Sequence, residues 1–266
     1  MSIFEFSQAE LQQIVTIARQ AGDAIMAVYA QADLQVEVKQ DDSPVTAADI
    51  ASHNVIVKGL TRDFSNIAIM SEEDANIDWA TRKNWQTYWL IDPLDGTKEF
   101  IKRNGEFTVN IALIYQGKAI AGVVYAPVLD KCYYGVLGQG AWLEHQGQVV
   151  KLDITQRSIQ PIPVVVGSRS HISPDVAEYL HSVGEHQMLS VGSSLKFCMV
   201  AEGLADVYPR LGLTSEWDTA AAQAVLEAAG GLVVEYPLLT PLQYNQKENI
   251  LNPYFIAASA AWFERK

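Results

Sequence analysis

The amino-acid sequence predicts a mixed fold, with an α+β first half and an α/β second half. Between residues 67 and 144, short apolar stretches that favour strands are separated by Gly-containing turns, the pattern of antiparallel hairpins. Beyond residue 158, helical and strand patterns alternate. Polar residues 155–158, followed by Pro161 and Pro163, mark the change. We therefore expect two structural halves, residues 1–157 and residues 158–266.

The first half opens with two helices. Ser7 followed by Glu10 fits a capping box, and the apolar residues after it recur at a helical period. A second helix is predicted to begin after Thr46, with Asp49 in the equivalent capping position, and to end near residue 60. Strands are expected at residues 67–70, 88–91, 108–115, 119–125, 131–136 and 140–144.

The second half is predicted to begin with a strand at residues 164–166 and a helix near residues 175–182. A strand residue at Ser190 and a helix from Ser193 come next. An Ala-rich helix follows Asp218 and stops at Gly230 and Gly231, and a strand covers residues 232–235. This alternation of helices and strands indicates an α/β arrangement.

The most informative segment is residues 92–97, which places two carboxylates three positions apart, directly before a glycine and a hydroxyl. Pro93 favours an extended backbone at Asp92, which is therefore predicted to end a strand. Gly96 lets a phosphate approach the main chain, and Thr97 opens a helix whose amides can receive an anion. Mg²⁺ combines one or two carboxylates with substrate phosphate oxygens. The segment therefore predicts a metal and phosphate site.

Each acidic candidate also has a purely structural interpretation. The segment 92–97 could be a polar turn, and Glu72 with Glu73 could be a solvated loop after a strand. Asp218 follows Ser215 at capping-box spacing, and Asp49 is the third residue after a capping threonine. A carboxylate at a helix N-terminus is stabilised by about 0.3–1 kcal/mol, which alone would justify either aspartate.

Taken together, these segments resemble the motifs of the inositol monophosphatase superfamily in order and spacing. The matching motifs are Val45-Thr46-Ala47-Ala48-Asp49, Ser71-Glu72-Glu73, Asp92-Pro93-Leu94-Asp95-Gly96-Thr97 and Trp217-Asp218. Further stretches are similar to one branch, the CysQ-type 3'(2'),5'-bisphosphate nucleotidases: residues 42–46, 98–101, 105–110, 167–171, 192–197 and 208–210. The resemblance covers nearly the whole chain and implies the layered αβαβα sandwich shared with fructose-1,6-bisphosphatase.

The resemblance also implies an activity and a cofactor. The expected reaction is Mg²⁺-dependent hydrolysis of adenosine 3',5'-bisphosphate (PAP) to AMP and phosphate, and of its sulfated precursor PAPS to APS, in sulfate assimilation. Two or three Mg²⁺ ions per site and inhibition by lithium are further expectations. Two alternatives stay open: an inositol or other sugar monophosphatase of the same superfamily, and a non-catalytic nucleotide-binding protein.

By the same resemblance, roles are assigned to individual residues. The expected metal ligands are Glu72, Asp92, the carbonyl of Leu94, Asp95 and Asp218. The expected catalytic residues are Asp49, Glu72 and Thr97, with Thr97 holding the attacking water and Asp49 accepting its proton. The expected substrate contacts are Glu72, Leu94, Asp95, Gly96, Thr97, His171, Gly192, Ser193, Ser194, Lys196, Arg210 and Asp218. Most metal ligands thus fall in the first half, and the nucleotide-contacting loops and Asp218 in the second.

Lys196 and Arg210 are expected to bind the second phosphate, because lysine and arginine suit phosphate oxygens. The alternative for each is a solvated surface cation. His171 follows a predicted strand and could contact phosphate or ribose, or form only a structural hydrogen bond. The remaining histidines show no metal-ligand spacing and receive no role.

Composition narrows the class of partner. The chain has 266 residues, 49% of them hydrophobic, which is enough for a large core. The net charge of −12 argues against binding nucleic acid polymers but permits a small nucleotide. Cys132 and Cys198 are the only cysteines, and no signal peptide or apolar run of about 18 residues is found. We expect a cytoplasmic protein without a transmembrane segment. Peripheral association with the inner face of the membrane, and a monomeric or dimeric state, stay open.

Overall fold

The computed structural model describes residues 6–31, 37–38, 44–168 and 173–265. The helices are α1 (Gln8–Tyr29), α2 (Ala47–Asp63), α3 (Trp79–Arg82), α4 (Thr97–Ile101), α5 (Pro174–Val183), α6 (Leu195–Ala201), α7 (Ala220–Ala228) and α8 (Ala260–Phe263), with a 3-10 turn at Glu216–Asp218. The strands are β1 (Glu37–Val38), β2 (Pro44–Val45), β3 (Ala68–Ser71), β4 (Thr87–Asp95), β5 (Thr108–Tyr115), β6 (Lys118–Ala126), β7 (Lys131–Val136), β8 (Gly140–His145), β9 (Gln148–Leu152), β10 (Val164–Gly167), β11 (Gln187–Ser190), β12 (Val207–Arg210), β13 (Gly231–Glu235) and β14 (Phe255–Ser259).

The first sheet follows chain order from β3 to β9. Strands β4 to β9 pair antiparallel with their neighbours, as the predicted hairpins require. Among the described strands of this sheet, only β3 and β4 pair parallel. The edge strand β9 was not predicted. Its residues are largely exposed on both faces, so the sequence lacks the alternation of apolar and polar residues that marks a half-buried strand.

The second sheet has the order β11-β10-β12-β14-β13. Strand β10 pairs parallel with β11 and β12, whereas β14 pairs antiparallel with β12 and β13. The sequence did not predict β12 or β14. Pro209 lies inside β12 and lacks an N–H for the ladder, and the Ala-rich run at the end of β14 continues directly into α8. The second half is therefore a mixed sheet with helices.

Helices and sheets alternate in five layers. Along β4, Trp89 and Ile91 join the apolar cluster that contains α1 and α2, whereas Tyr88 and Leu90 join the cluster that contains α6 and α7. Such alternation places successive side chains on opposite faces of the sheet. In the second sheet, β14 alternates in the same way between the α6 and α7 layer and the layer of α5 and α8. The predicted αβαβα sandwich is confirmed.

Helix α7 is the close-packed centre of this sandwich. Its residues from 220 to 226 are all buried, and most of them are alanines. A Cβ at Gly122 in β6 would lie 2.3 Å from the carbonyl oxygen of Ala221, so the helix approaches the first sheet more closely than a larger residue would allow. This packing fixes the start of α7, and with it the 3-10 turn that carries Asp218. The turn is thereby held between the two sheets.

Strand β4 is longer than predicted. It does not end at Asp92 but continues to Asp95, with a register shift between the pairs Asp92 with Asn110 and Asp95 with Thr108. The shift accommodates Pro93, which has no N–H to donate. The expectation that Asp92 ends a strand was therefore wrong, although regular pairing stops there.

The boundary between the predicted halves is not a break in the core. The apolar cluster around α7 includes residues of both sheets, so the two halves share their central layer. The division at residue 157 stays a prediction. Every helix in the described part of the chain is too short or too polar to span a membrane.

Candidate metal and phosphate site

Three carboxylates that are far apart in the sequence meet in the structure. Oxygen atoms of Glu72, Asp92 and Asp218 all lie within 4.8 Å of one another. The three residues come from the segment after β3, from β4 and from the 3-10 turn before α7. Asp92 is only 1% exposed. The fold thus concentrates negative charge at a largely buried point.

The pairing of β3 with β4 explains how the first two carboxylates meet. Parallel strands carry their carboxyl ends to the same edge of a sheet, and the N–H of Glu72 donates to the carbonyl of Ile91 at 3.1 Å. Glu72 therefore lies beside Asp92. Asp218 is oriented by a hydrogen bond within its own turn, in which its Oδ2 accepts the backbone N–H of Ser215 at 2.9 Å. The capping box predicted from Ser215 and Asp218 is present, and it does not prevent Asp218 from joining the cluster.

The electrostatics of this cluster favour a bound cation. Burial above all, and then the charges of Glu72, Asp95 and Asp218, raise the pKa of Asp92 well above its usual range. Burial, followed by the charge of Asp95, likewise raises the pKa of Asp218. Both shifts report the cost of keeping neighbouring carboxylates ionised away from water. An all-oxygen donor set of this kind fits a hard divalent cation such as Mg²⁺.

Asp95 lies beside this group and also anchors a loop of the second half. Its Oδ2 accepts hydrogen bonds from the backbone N–H of Ser194 at 2.6 Å and from the Ser194 hydroxyl at 2.7 Å. Asn110 Nδ2 donates to the same hydroxyl oxygen at 2.9 Å and lies 3.4 Å from Asp95 Oδ2. The buried Asn110 had no role assigned from the sequence, because a single amide in a strand carries no chemical signature.

Asp49 combines the two roles that the sequence left open. Its Oδ2 accepts the backbone N–H and the hydroxyl of Thr46, at 2.8 and 2.7 Å, in a complete capping box. Its Oδ1 accepts the hydroxyl of Thr97 at 3.2 Å. The cap therefore leaves one carboxylate oxygen for Thr97.

Leu94 lies between the two aspartates of β4. It donates its N–H to Asp92 Oδ1 at 3.1 Å, and the metal role of its carbonyl stays a prediction.

Gly96 turns the chain from β4 into α4. Its φ of 95° lies in the left-handed region, which favours glycine. A Cβ here would lie 3.3 Å from the carbonyl oxygen of Glu106, so the position is also crowded. The sharp turn brings Thr97, at the start of α4, back to Asp49.

A cavity of about 340 Å³ adjoins the carboxylates, and the predicted nucleotide loop lines it. Gly192, whose N–H donates to Glu106 Oε2 at 2.8 Å, and Ser193, with a φ of 48°, belong to this loop. The lining residues include Asp95, Gly96, Glu106, Ser168, Gly192, Ser193, Lys196, Tyr208, Arg210, Thr214 and Asp218. Most of the predicted substrate contacts thus surround one cavity.

Lys196 and Arg210 provide positive charge in this cavity. Lys196 is 8% exposed, and its Nζ donates to the carbonyl of Ser193 at 2.8 Å and lies 5.6 Å from the ring centre of Tyr208. Because Lys196 is almost fully buried, the interpretation as a solvated surface cation is wrong. Burial also lowers the pKa of Lys196, against the charge of Asp95. Arg210 Nη2 donates to the carbonyl of Leu213 at 2.8 Å, and its buried Nε has no hydrogen-bond partner within the described part of the chain.

His171 lies outside the described residues, so its substrate contact stays a prediction. His53, to which no role was assigned, lies next to the cluster: its Nδ1 is 2.8 Å from the hydroxyl of Ser71, which immediately precedes Glu72. The sequence gave no signal for this contact, because a single histidine on a helix has no diagnostic spacing.

Comparisons with known proteins identify the family of this chain. The Inositol monophosphatase family model matches residues 7–260. The "3'(2'),5'-bisphosphate nucleotidase CysQ" of Salmonella typhimurium strain LT2 is 56% identical over 246 residues, covering 92% of this chain and 98% of the relative. The protein of the same description from Escherichia coli strain K12 is 54% identical over the same length.

Solved structures give the same result. The crystal structure of CysQ from Bacteroides thetaiotaomicron, described as a bacterial member of the inositol monophosphatase family, superposes with a TM-score of 0.83 at 38% identity. The superposition covers 98% of this chain and 99% of the Bacteroides thetaiotaomicron chain. An inositol monophosphatase from Anabaena superposes with a TM-score of 0.75 at 28% identity, covering 96% and 92% of the two chains. The carboxylate cluster, the layered fold and these similarities lead to one conclusion: the chain belongs to the inositol monophosphatase family.

Proposed function

We propose that this chain is a Mg²⁺-dependent 3'(2'),5'-bisphosphate nucleotidase that hydrolyses PAP to AMP and phosphate. The observation that carries the proposal is the juxtaposition of the carboxylate cluster with a cavity that also contains Lys196 and Arg210. Hydrolysis of a phosphate monoester needs a cation beside the reacting phosphorus. Binding of a second phosphate needs fixed positive charge a few ångströms away. The similarity to the CysQ relatives supports the same substrate class.

The residues that would hold Mg²⁺ are Glu72, Asp92, Asp95, Asp218 and the carbonyl of Leu94. When bound, two or three Mg²⁺ ions supply positive charge that offsets the carboxylates and the phosphoryl oxygens. The raised pKa values of Asp92 and Asp218 support this assignment, because burial and mutual repulsion make the cluster costly to ionise without a cation.

Thr97 and Asp49 would prepare the attacking water. The hydroxyl of Thr97 already donates to Asp49 Oδ1, so its oxygen is oriented to accept a hydrogen bond from water. As the water attacks phosphorus, the bond between phosphorus and the ribose 3'-oxygen breaks. The water proton passes to the Thr97 oxygen while the Thr97 proton moves to Asp49, and the leaving ribose oxygen takes a proton from solvent water. The two donors of Thr46 hold the Asp49 carboxylate in this orientation. Glu72 would orient the same water. A protein that only binds nucleotide has no need of this pair.

The substrate would bind across the cavity. We assign the scissile phosphate to the amides of Gly96 and Thr97, and the rest of the nucleotide to the loop 192–196. Lys196 and Arg210 would hold the second phosphate, since the buried Nε of Arg210 has no partner among the described residues. Lys196 is held in place through Ser193, whose backbone lies in the same loop.

The proposal is tested by measuring phosphate release from PAP with Mg²⁺ and with EDTA. We expect turnover only with Mg²⁺, and a raised KM for PAP in Arg210→Ala. Arg62→Ala is the matched control, because Arg62 is a surface cation paired with the adjacent Asp63 and should leave KM unchanged. No Mg²⁺-dependent release from PAP would contradict the proposal, and an unchanged KM in Arg210→Ala would remove Arg210 from the site.

We propose that PAPS is also hydrolysed to APS, that the enzyme serves sulfate assimilation, and that lithium inhibits it by replacing one Mg²⁺ with a cation of lower charge. We also propose a cytoplasmic location. Its support is that Cys132 and Cys198 are both buried and free, as is usual in a reducing compartment.

A further inference from the structure

A buried polar network joins α3 to the 3-10 turn that carries Asp218. Its main members, Arg82, Asn245 and Glu216, are 3%, 9% and 2% exposed. Charged side chains are rarely buried to this extent unless they are fixed by partners. We propose that these three are positioning residues that hold Asp218 in the carboxylate cluster and thereby set the affinity for Mg²⁺. The inference rests on the proposed Mg²⁺ site.

Arg82 binds one face of the segment 245–248. Its Nη1 donates to Asn245 Oδ1 at 2.6 Å and to the carbonyl of Lys247 at 3.3 Å, and its Nη2 donates to the carbonyl of Glu248. Asn245 Nδ2 returns a hydrogen bond to the carbonyl of Arg82 at 2.6 Å. The guanidinium also lies 4.7 Å from the ring centre of Trp79. The segment is therefore fixed to α3 by several directed contacts.

Asn245 passes this constraint to Glu216. The backbone N–H of Asn245 donates to both carboxylate oxygens of Glu216, at 3.0 Å each. Asn245 has a φ of 56°, a left-handed conformation that asparagine tolerates better than most residues. Glu216 lies two positions before Asp218 in the same 3-10 turn, and its own N–H donates to the carbonyl of Ile250. A shift of the segment 245–250 would therefore shift Asp218.

Asn252 provides a second connection from the same region. Its Nδ2 donates to the carbonyl of Ser215 at 2.7 Å, and its N–H donates to the carbonyl of Thr214 at 2.8 Å. Ser215 in turn donates its N–H to Asp218 Oδ2. Ser215, which orients the Asp218 carboxylate, is thus itself held by Asn252.

The location of Arg82 explains why this restraint matters. The segment that begins at Glu72 leads directly to α3, so the network ties the chain beyond one carboxylate of the cluster to the turn that carries another. Repulsion between Glu72, Asp92 and Asp218 would otherwise separate these elements. Partners that orient metal ligands typically contribute 10- to 100-fold to metal affinity. We expect an effect of that size here.

The test compares Arg82→Ala and Asn245→Gly with wild type and with Arg157→Ala. Asn245→Gly tolerates the left-handed backbone and keeps the N–H that binds Glu216, but it removes the acceptor of Arg82. Arg157 is a matched control, because it pairs with the buried Asp206 at 2.8 Å, outside the network. The readouts are Tm across a Mg²⁺ titration without substrate, and the Mg²⁺ concentration that gives half-maximal activity.

We expect Arg82→Ala and Asn245→Gly to need about tenfold more Mg²⁺ for half of the rise in Tm and for half-maximal activity, with kcat largely regained at high Mg²⁺. Arg157→Ala should lower Tm in EDTA without moving either midpoint. If Arg82→Ala does not fold, the two Mg²⁺ midpoints of Asn245→Gly and of Arg82→Lys are compared with those of wild type instead.

Unshifted midpoints in the network variants, or an equal shift in Arg157→Ala, would overturn the inference while leaving the proposed function intact. A wild type whose Tm and PAP hydrolysis both ignore Mg²⁺ would overturn the proposed function itself, and this inference with it. The two failures are therefore distinguishable, because the second is read from the wild type alone.

Discussion

At the scale of single residues, the site depends on carboxylates that do two things at once. Asp49 completes a helix cap with one oxygen and accepts the Thr97 hydroxyl with the other. Asp95 lies near the cluster and also binds Ser194 through its Oδ2. A structural role and the proposed catalytic or metal-binding role are thus compatible in one side chain, because a carboxylate offers two oxygens with several lone pairs.

Asp95→Asn tests whether the hydrogen bond to Ser194 and the proposed metal role of Asp95 can be separated. An amide oxygen can still accept the N–H of Ser194, so the fold should persist, but one negative charge is lost at the proposed Mg²⁺ site. We expect kcat for PAP to fall roughly a hundredfold or more, with Tm in EDTA little changed. Asp130→Asn, at a surface ion pair with Arg19, is the control and should keep full kcat. Retention of most of the kcat by Asp95→Asn would refute the metal role of Asp95.

A second prediction concerns Glu227 on α7, where burial raises the pKa to about 7 in spite of hydrogen bonds from Gln223 and Val233. Because this pKa is above that of the unfolded chain, the contribution to stability is complete below about pH 4.5 and is lost as the pH rises through 7. Glu227→Gln cannot ionise. Its Tm in EDTA should therefore rise relative to wild type between pH 5 and pH 8, whereas a constant difference in Tm across this range would contradict the shifted pKa.

At the scale of elements, the nucleotide loop is held by the first half of the chain. Glu106 binds the N–H of Gly192, Asp95 binds Ser194, and the carbonyl of Ser193 holds Lys196. Ser193 has a φ of 48°, an uncommon conformation for serine that its neighbours must maintain. The charge of Lys196 is therefore positioned through contacts that cross between the two halves.

Glu106→Ala should loosen this loop. Loss of one hydrogen bond is expected to raise KM for PAP roughly two- to tenfold, the equivalent of about 0.5–1.5 kcal/mol, with a smaller effect on kcat. Glu106→Gln retains an acceptor for Gly192 and should lie closer to wild type. Steady-state kinetics of both variants decide the matter. An equal rise in KM for the two variants would assign the effect to charge instead of to the loop.

Much of the fold was predictable from local sequence signals. The capping boxes before α1 and α2 and the limits of β5 and β7 agree with the patterns, because each rests on residues that are neighbours in the chain. Strand β14 was not predictable, since a short buried strand and a helix share its alanine-rich composition. Pro209 concealed β12 in the same way, because it breaks the pattern of a regular strand.

The candidate site was predictable where residues form a motif and unpredictable where they meet only in space. Asp92, Asp95 and Thr97 lie within six positions, and their combination of chemistry is visible in the sequence. Arg82 and Asn245 are 163 positions apart, and neither belongs to a recognisable pattern. Only the tertiary structure shows that they reach the turn of Asp218.

At the scale of the whole molecule, the layered sandwich brings the ends of β3 and β4, the start of α7 and the loop before α6 to one place. The net charge of −12 means that an anionic substrate is held by local cations and not by the overall field. We therefore propose that discrimination between a bisphosphate and a monophosphate depends on Lys196 and Arg210. Inositol phosphate lacks the second phosphate that they would bind.

The decisive measurement is kcat/KM for PAP and for inositol 1-phosphate, determined side by side with Mg²⁺ and with EDTA. We predict Mg²⁺-dependent release mainly from PAP, by a factor that can reach about 10⁴ where buried polar groups of the site need a partner. Release mainly from inositol 1-phosphate would retain the metal site but contradict the roles of Lys196 and Arg210, and release from neither would indicate a protein that only binds nucleotide.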